Sequence, residues 1–285
     1  MSEAKVALAD ARAKPVRVVA VSSGKGGVGK SNITLGLALA LASLGKKILV
    51  WDADLGLANT DVLLGVRAQY TIHDWLKGEK TLREIVITGP LGVKILPAAS
   101  GILELGEISE ADKQRLISEF EAWREDLDFL LIDTAAGIGP NVIFFNLVSQ
   151  ERLVVVTNEP TSLTDAYALI KALSTKHDQN QFYIVPNMVR GAKEARAIFE
   201  LLSNVSGLYL SKVSLDLAGF LPFDEAVPAA VRAQKPFFIK SPDAPVTNKI
   251  KDLAVYLSQK TPPGFGGGGL VLFLNRLVSR PRLVD

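Results

Sequence analysis

The chain reads as an α/β domain, a doubly wound and mostly parallel sheet with helices on both faces, and three observations carry that reading. Strand-like and helix-like segments alternate from Val16 to about Gln259, the order that builds parallel βα units. The strand-like segments are short, apolar and mostly rich in Val, Ile and Leu, as strands buried on both faces are. The third observation is Gly24 to Ser31, GKGGVGKS, standing between an apolar β-branched run and an Ala/Leu-rich run. A strand, a glycine turn and a helix N-terminus in that order form a phosphate cradle.

In chain order, strands are expected at Arg17 to Val21, Lys47 to Trp51, Val93 to Leu96, Phe129 to Ile132, Leu153 to Val156, Phe182 to Val185 and Leu215 to Leu221. Helical patterns lie between them, such as Ser31 to Leu44, Glu110 to Arg124, Ser162 to Ser174 and Ala192 to Leu202. In such a sheet, ligands sit beyond the carboxyl ends of the strands. The expected organisation is an N-terminal arm over 1–15, one nucleotide-binding domain over 16–260, a linker over 261–269 and a C-terminal helix over 270–285. The linker reads TPPGFGGGG, two prolines and five glycines that cannot continue a helix.

Composition narrows the field. A length of 285 residues suits one large domain, and a net charge of +2 speaks against wholesale or specific nucleic-acid binding. Zero cysteines exclude disulfides, thiolate metal sites and cysteine-ligated iron–sulfur clusters. Residues 1–14 carry charges throughout with no apolar core of a secretory leader, and no run of about twenty apolar residues is present. The expected location is cytoplasmic, and peripheral on the cytoplasmic membrane for a reason given by the C-terminal segment below. Trp51, Trp75 and Trp123 read as packing residues, and His73 and His177 are isolated.

The phosphate-binding residues are Gly24, Lys25, Gly26, Gly27, Val28, Gly29, Lys30, Ser31 and Asn32. Glycines let successive backbone N–H groups converge on an anion, and the helix N-terminus adds unpaired donors and its positive dipole end. Lys30 has the position that reaches β- and γ-phosphates, and the Ser31 hydroxyl the position that holds Mg²⁺. The strand Phe129 to Ile132 ends in Asp133, followed by the small residues Thr134 to Gly137. A carboxylate emerging there beside the P-loop holds Mg²⁺ directly or through water. Strand Lys47 to Trp51 ends in Asp52-Ala53-Asp54, whose two carboxylates point the same way in extended backbone. After strand Phe182 to Val185 come Asn187, whose amide suits a purine edge, and Arg190, which suits stacking over a ring. No element of the kind that selects guanine is present, so ATP and ADP are expected over guanine nucleotides.

KGGVGKS resembles the deviant Walker A motif of the MinD/ParA class of P-loop ATPases. GKSN, DADLGLANTDVLLG, LPAASG, DTAAGIGPNVIFFN, EPTSLTDAYALIK and PFDEAV are similar to the FlhG/FleN family within that class, over roughly residues 16–260. The resemblance implies an ATP-dependent homodimer, monomeric with ADP or no nucleotide, in which Lys25 crosses to the partner's phosphates. It implies that Asp54 positions the attacking water near Mg²⁺, with Asp52 supporting the switch, and that Asn187 contacts adenine. It places the other adenine wall on the backbone of Leu221, Pro222, Phe223 and Asp224. It further implies slow, partner-stimulated ATP hydrolysis in the control of flagellar number and placement, with the FlhF GTPase and a flagellar switch or transcription regulator as partners. Two departures are Ser31, where the family usually has Thr, and residues 1–14, which lack the family's DQAxxLR-like string.

On a helical wheel of residues 270–282, Leu270, Val271, Phe273, Leu274, Leu277 and Val278 share one face, with Leu272 out of place. Asn275, Arg276, Ser279, Arg280 and Arg282 share the other. Apolar against arginine, with no acid, is the pattern of a helix lying in an anionic membrane interface. The same periodicity also describes a terminal helix docked on the protein's own core until ATP releases it. Among other functions, a division-site regulator of the MinD type and a nucleotide-bound module that sequesters a transcription regulator stay open. A DNA-partitioning ATPase is opposed by the charge, an iron–sulfur ATPase by the missing cysteines, and a tyrosine kinase by the lack of a terminal tyrosine cluster.

Overall fold

The strand that feeds the glycine turn is enclosed on every side. In the computed structural model β1 is Arg17–Ser23, buried at all seven positions, with β5 (Phe129–Ala136) paired to one edge and β6 (Glu151–Val156) to the other, both parallel. The structure describes residues 16–54, 60–66, 68–97, 110–123, 126–260, 274 and 276. Beyond β5 lie β2 (Ile48–Ala53), β4 (Lys94–Leu96) and β3 (Ile87–Thr88); beyond β6 lie β7 (Gln181–Pro186) and β8 (Ser214–Leu217). The order across this eight-stranded sheet is β3-β4-β2-β5-β1-β6-β7-β8. All pairs are parallel except β3 with β4, so the carboxyl ends of seven strands share one rim.

One face of the sheet is covered by α1 (Lys30–Ser43), α9 (Ala226–Arg232), α10 (Phe237–Lys240) and α11 (Pro245–Gln259). Between α1 and α9 in the chain come three short helices, α2 (Thr60–Leu64), α3 (Ile72–Leu76) and α4 (Leu82–Ile85). They are followed by α5 (Glu110–Glu121), α6 (Pro140–Val148), α7 (Pro160–His177) and α8 (Ala192–Tyr209). The second face is packed by α3 to α8 in two apolar clusters, one around Trp51, Trp75 and Phe120, the other around Leu169, Phe182 and Ile198. All three tryptophans are fully buried, and the Trp51 and Phe120 rings stack at 5.7 Å.

The expected strands are present and the expected helices are longer or differently ended. The run Leu215 to Leu221 leaves the regular ladder at Leu217, yet Ala218 and Leu221 still donate to the Ile184 and Pro186 carbonyls (3.1 and 2.9 Å). The chain there bends over the rim to become a wall of the cleft. β3 is two residues of edge hairpin, too short to leave a periodic signal. Of the expected segments, the arm at 1–15 and the linker at 261–269 lie outside the described residues.

The opposite rim is fastened by a buried ion pair. Arg17 at the start of β1 donates two hydrogen bonds to Glu151 at the start of β6 (2.8 and 2.6 Å). It donates a third to the Leu257 carbonyl on α11, and its guanidinium lies over the Phe129 ring. Removing one partner leaves a buried charge without compensation. Glu151→Ala is therefore expected to cost about 3–5 kcal/mol, read as a lower urea midpoint with an unchanged slope.

Candidate functional site

A cleft of about 700 Å³ opens on the carboxyl rim, floored by the glycine turn after β1. That size suits a nucleotide. Lys25 to Asn32 all line it. Gly27 and Gly29 have φ of 78° and 86°, the left-handed region that glycine adopts without strain. At Gly29 a Cβ would also lie 2.6 Å from the Asn187 amide nitrogen. Gly24 stands just outside the lining, where its missing side chain lets the turn lie on α7: a Cβ there would be 2.1 Å from the Asp165 carbonyl carbon.

Lys30, in the first turn of α1, reaches Asp133 at 2.8 Å, and both side chains are nearly inaccessible. Thr34, one turn further along α1, donates to the same carboxylate oxygen at 3.2 Å. Asp133 is therefore held by α1, outside the cleft lining. Thr34 was not anticipated, although its four-residue spacing from Lys30 puts both on one helix face.

Asp52 and Asp133 sit opposite each other on β2 and β5. Asp52 accepts the backbone N–H groups of Asp54 and Thr60, both at 3.2 Å, and so caps the segment that leads into α2. Burial pushes its carboxyl up to about 6; the Asp133 charge adds to this, while the hydrogen bonds from Thr60 and Asp54 oppose it. Asp54 lines the cleft and is half-buried. The paired aspartates thus divide, one buried and structural, one facing the cleft.

The side of the cleft expected to take the base is formed by Asn187 and the chain after β8. Asn187 donates from Nδ2 to the Val28 carbonyl at 2.7 Å, which leaves Oδ1 as an acceptor. Pro222, Phe223 and Asp224 line the cleft as expected. The Asp224 carboxylate turns away from it, accepting N–H groups of Ala226 (2.9 Å) and Val246 (3.2 Å) and bracing the starts of α9 and α11. Arg190 is outside the lining: it is exposed, and its backbone N–H donates to Glu194 at 2.6 Å. The expected stacking is thus not in place, because the turn after Met188, itself at φ 57°, carries Arg190 away from the cleft. Val227, Val231, Arg232, Phe237 and Val246 line the cleft in addition. Nothing in EAVPAAVRAQKPFF distinguishes such a wall from ordinary helix packing.

Lys25 takes an orientation that spacing does not reveal. Its ammonium ion-pairs with Glu159 and donates to the Thr161 hydroxyl at 2.9 Å, both at the start of α7. At the C-terminal segment, Leu274 is fully buried in the cluster that contains Phe145 and Val148, and Arg276 donates to the Leu147 carbonyl at 3.2 Å. Leu274, expected to face lipid, therefore faces the protein core in this state. Leu270, Phe273, Leu277, Val278 and Arg280 lie outside the described residues. No helix among the described residues is long and apolar enough to cross a membrane.

Comparison with known proteins agrees with this geometry. The family described as ParA, NUBPL iron-transfer P-loop NTPase, matches residues 14–258. Antiactivator FleN of Pseudomonas aeruginosa is 43% identical over 94% of this chain and 95% of its own. The chain belongs to the MinD/ParA family of P-loop NTPases and resembles FleN. The flagellum site-determining protein YlxH of Helicobacter pylori is 36% identical over 92% of this chain and 90% of its own. Among solved structures, septum site-determining MinD of Pyrococcus horikoshii, complexed with Mg-ADP, superposes with a TM-score of 0.66 at 25% identity, covering 86% of this chain and 96% of that one. In this chain the P-loop, the half-buried Asp54 and Asn187 line one cleft, and Asp133 lies behind Lys30, outside the lining.

The raised Asp52 carboxyl has a measurable consequence. Between the unfolded value of 3.8 and about 6 the folded chain binds more protons at this site than the unfolded chain. Its contribution to stability is then full at low pH and falls as pH rises through that window. Asp52→Asn should flatten that limb of a stability–pH profile taken without nucleotide. It should also raise stability at pH 7, by at most about 3 kcal/mol.

Proposed function

We propose that the chain is an ATP-dependent dimerisation switch that hydrolyses ATP slowly, binds the cytoplasmic membrane reversibly and regulates the number or placement of flagella. The observation that supports it best is the extra lysine of the P-loop. Lys25 stands at the mouth of the cleft and is held by Glu159 and Thr161, both on the rim and neither part of the phosphate floor. Lys30 already serves as the cradle's own cation, so a second lysine at the mouth suits phosphates carried by a second copy of the chain.

The donor set fits Mg²⁺, since Ser31 lines the cleft and Asp133 supplies a carboxylate to Lys30, the residue before it. When bound, the ion would supply neutralisation of the phosphate charge. The N–H groups of Gly26 to Ser31 bind and orient the phosphates. Lys30 turns from Asp133 toward them, freeing the carboxylate for the cation's shell. Asp54 holds the attacking water in line, and phosphoryl transfer needs little beyond such positioning. Asn187 Oδ1 accepts from the exocyclic amine of adenine, between Phe223 and the apolar side of the cleft. Two chains facing each other exchange their Lys25 ammoniums, and Glu159 gives up its cis partner.

The flagellar role rests on the likeness to FleN and YlxH, and the word antiactivator in the first suits binding of a transcription activator. The FlhF GTPase and the flagellar switch are the further partners in this reading. The tail segment carrying Leu274 and Arg276 leaves its seat in the ATP dimer and lays its apolar face into anionic lipid. Each copy binds weakly, and two on one dimer act together.

Sedimentation with anionic liposomes tests this. ATP/Mg²⁺ is expected to pellet the intact chain, ADP to leave it in solution, and truncation after Gly269 to abolish pelleting. Equal pelleting of the truncated chain would contradict the reading. In a phosphate-release assay Asp54→Ala should lower turnover by at least about 100-fold while nucleotide still binds; unchanged turnover would remove Asp54 from the chemistry.

A further inference from the structure

The turn that follows α9 touches three parts of the molecule at once. Val231 and Arg232, at the end of α9, line the cleft, and Val231 is 39% exposed there. An apolar side chain left open in a cleft gains from a flat ligand laid against it. Two residues on, Gln234 has φ 49°, the left-handed region that glycine ordinarily takes just past a helix end. The hydrogen bonds are those of such a helix-ending turn: the Gln234 N–H donates to the Val231 carbonyl at 3.0 Å and the Lys235 N–H to the Ala230 carbonyl at 3.1 Å. A glutamine keeps that conformation only where its surroundings fix it.

Two glycines on other elements supply those surroundings. Gly65, directly after α2, has φ 65°, and a Cβ there would lie 2.8 Å from the Gln234 carbonyl oxygen. Gly36 leaves room for the Phe237 ring, since a Cβ there would lie 2.5 Å from Phe237 Cζ. Glycine within a helix weakens it, and α1 carries one at the point where that ring enters. The turn over 233–237 is thus wedged between the helix that starts at the P-loop and the end of α2. α2 in turn leads to the chemistry. Its five residues span about 7.5 Å. Its first residue, Thr60, donates its backbone N–H to Asp52, which also accepts the Asp54 N–H, both at 3.2 Å. One carboxylate therefore fixes Asp54 and the start of α2 together.

We propose that Gly65 and Gln234 are positioning residues that make hydrolysis depend on the base: a base against Val231 sets the turn after α9, the turn sets α2, and α2 with Asp52 sets Asp54. This rests on the reading of the chain as an ATPase in which Asp54 holds the attacking water. Neither Gly65 nor Gln234 lines the cleft. A triphosphate without a base fills the phosphate floor and leaves Val231 open, and Asp54 is then held less well. The resulting specificity lies in turnover and not in affinity alone.

Phosphate release from ATP and from inorganic tripolyphosphate tests the joint, each followed to saturation with Mg²⁺ at one concentration of the full chain. The intact chain is expected to show a kcat for ATP at least about 5-fold above that for tripolyphosphate. Gly65→Ala, which adds a Cβ against the Gln234 carbonyl, should bring the ATP value down to within about 2-fold of the tripolyphosphate value, while KM for ATP and kcat for tripolyphosphate stay within about 2-fold. Val231→Ala should also lower kcat for ATP; a wall that only binds the base would raise KM and leave kcat unchanged. The two changes together should cost no more than the larger one alone. If Gly65→Ala fails to fold, Val231→Ala decides by itself. The joint is overturned if the intact chain turns over both substrates with one kcat, if Gly65→Ala slows both alike, or if Val231→Ala moves only KM. No ATP turnover by the intact chain, or turnover untouched by Asp54→Ala, removes the ATPase reading and the joint with it.

Discussion

The structure depends on one buried ion pair, Lys30 with Asp133 at 2.8 Å. It joins the first turn of α1 to the end of β5, across the strand that carries the glycine turn. Two charges withdrawn from water are costly unless each has its partner and further hydrogen bonds. Here Thr34 provides one of these, and β1, clasped between β5 and β6, holds both elements in register. The same pair keeps a cation directly under a ring of backbone N–H groups. In the proposed switch an incoming phosphate would not have to recruit a lysine; it would only have to draw one from the carboxylate beside it.

Much of this was legible because parallel sheets leave a plain trace. Runs such as Val18 to Val21 and Phe129 to Ile132 are apolar at every position, and the polar residue that ends each one falls toward the ligand rim. Lys30, Ser31, Asp54 and Asp133 stand out for that reason. What spacing cannot convey is the direction of a side chain once several partners compete for it. Lys25 folds back onto Glu159, Asp224 braces two helices, and Arg190 leaves the cleft altogether. α6 has no amphipathic pattern to find, since six of its nine residues are buried between two clusters. The base wall from Val227 to Val246 carries only packing residues, whose arrangement around a cleft is a tertiary fact.

Leu274 shows how one periodicity serves two surfaces. An apolar stripe matches a groove in the protein as well as the interior of a lipid interface, and the choice between them is a difference of small free energies. The seat offers Leu274 an apolar cluster and Arg276 the Leu147 carbonyl. In the proposed switch that hold has to be modest. A tail held by many strong contacts would never leave, and one held by none would be permanently on the membrane.

The central claim is that Lys25 exchanges a partner within its own chain for phosphates on a second copy. Sedimentation velocity of the intact chain and of Lys25→Ala, each with ATP/Mg²⁺ and with ADP, tests it most directly. The account predicts a dimer only for the intact chain with ATP, and a monomer for Lys25→Ala in both nucleotides. A Lys25→Ala chain that dimerises as readily as the intact one, or an intact chain that stays monomeric with ATP, would contradict it.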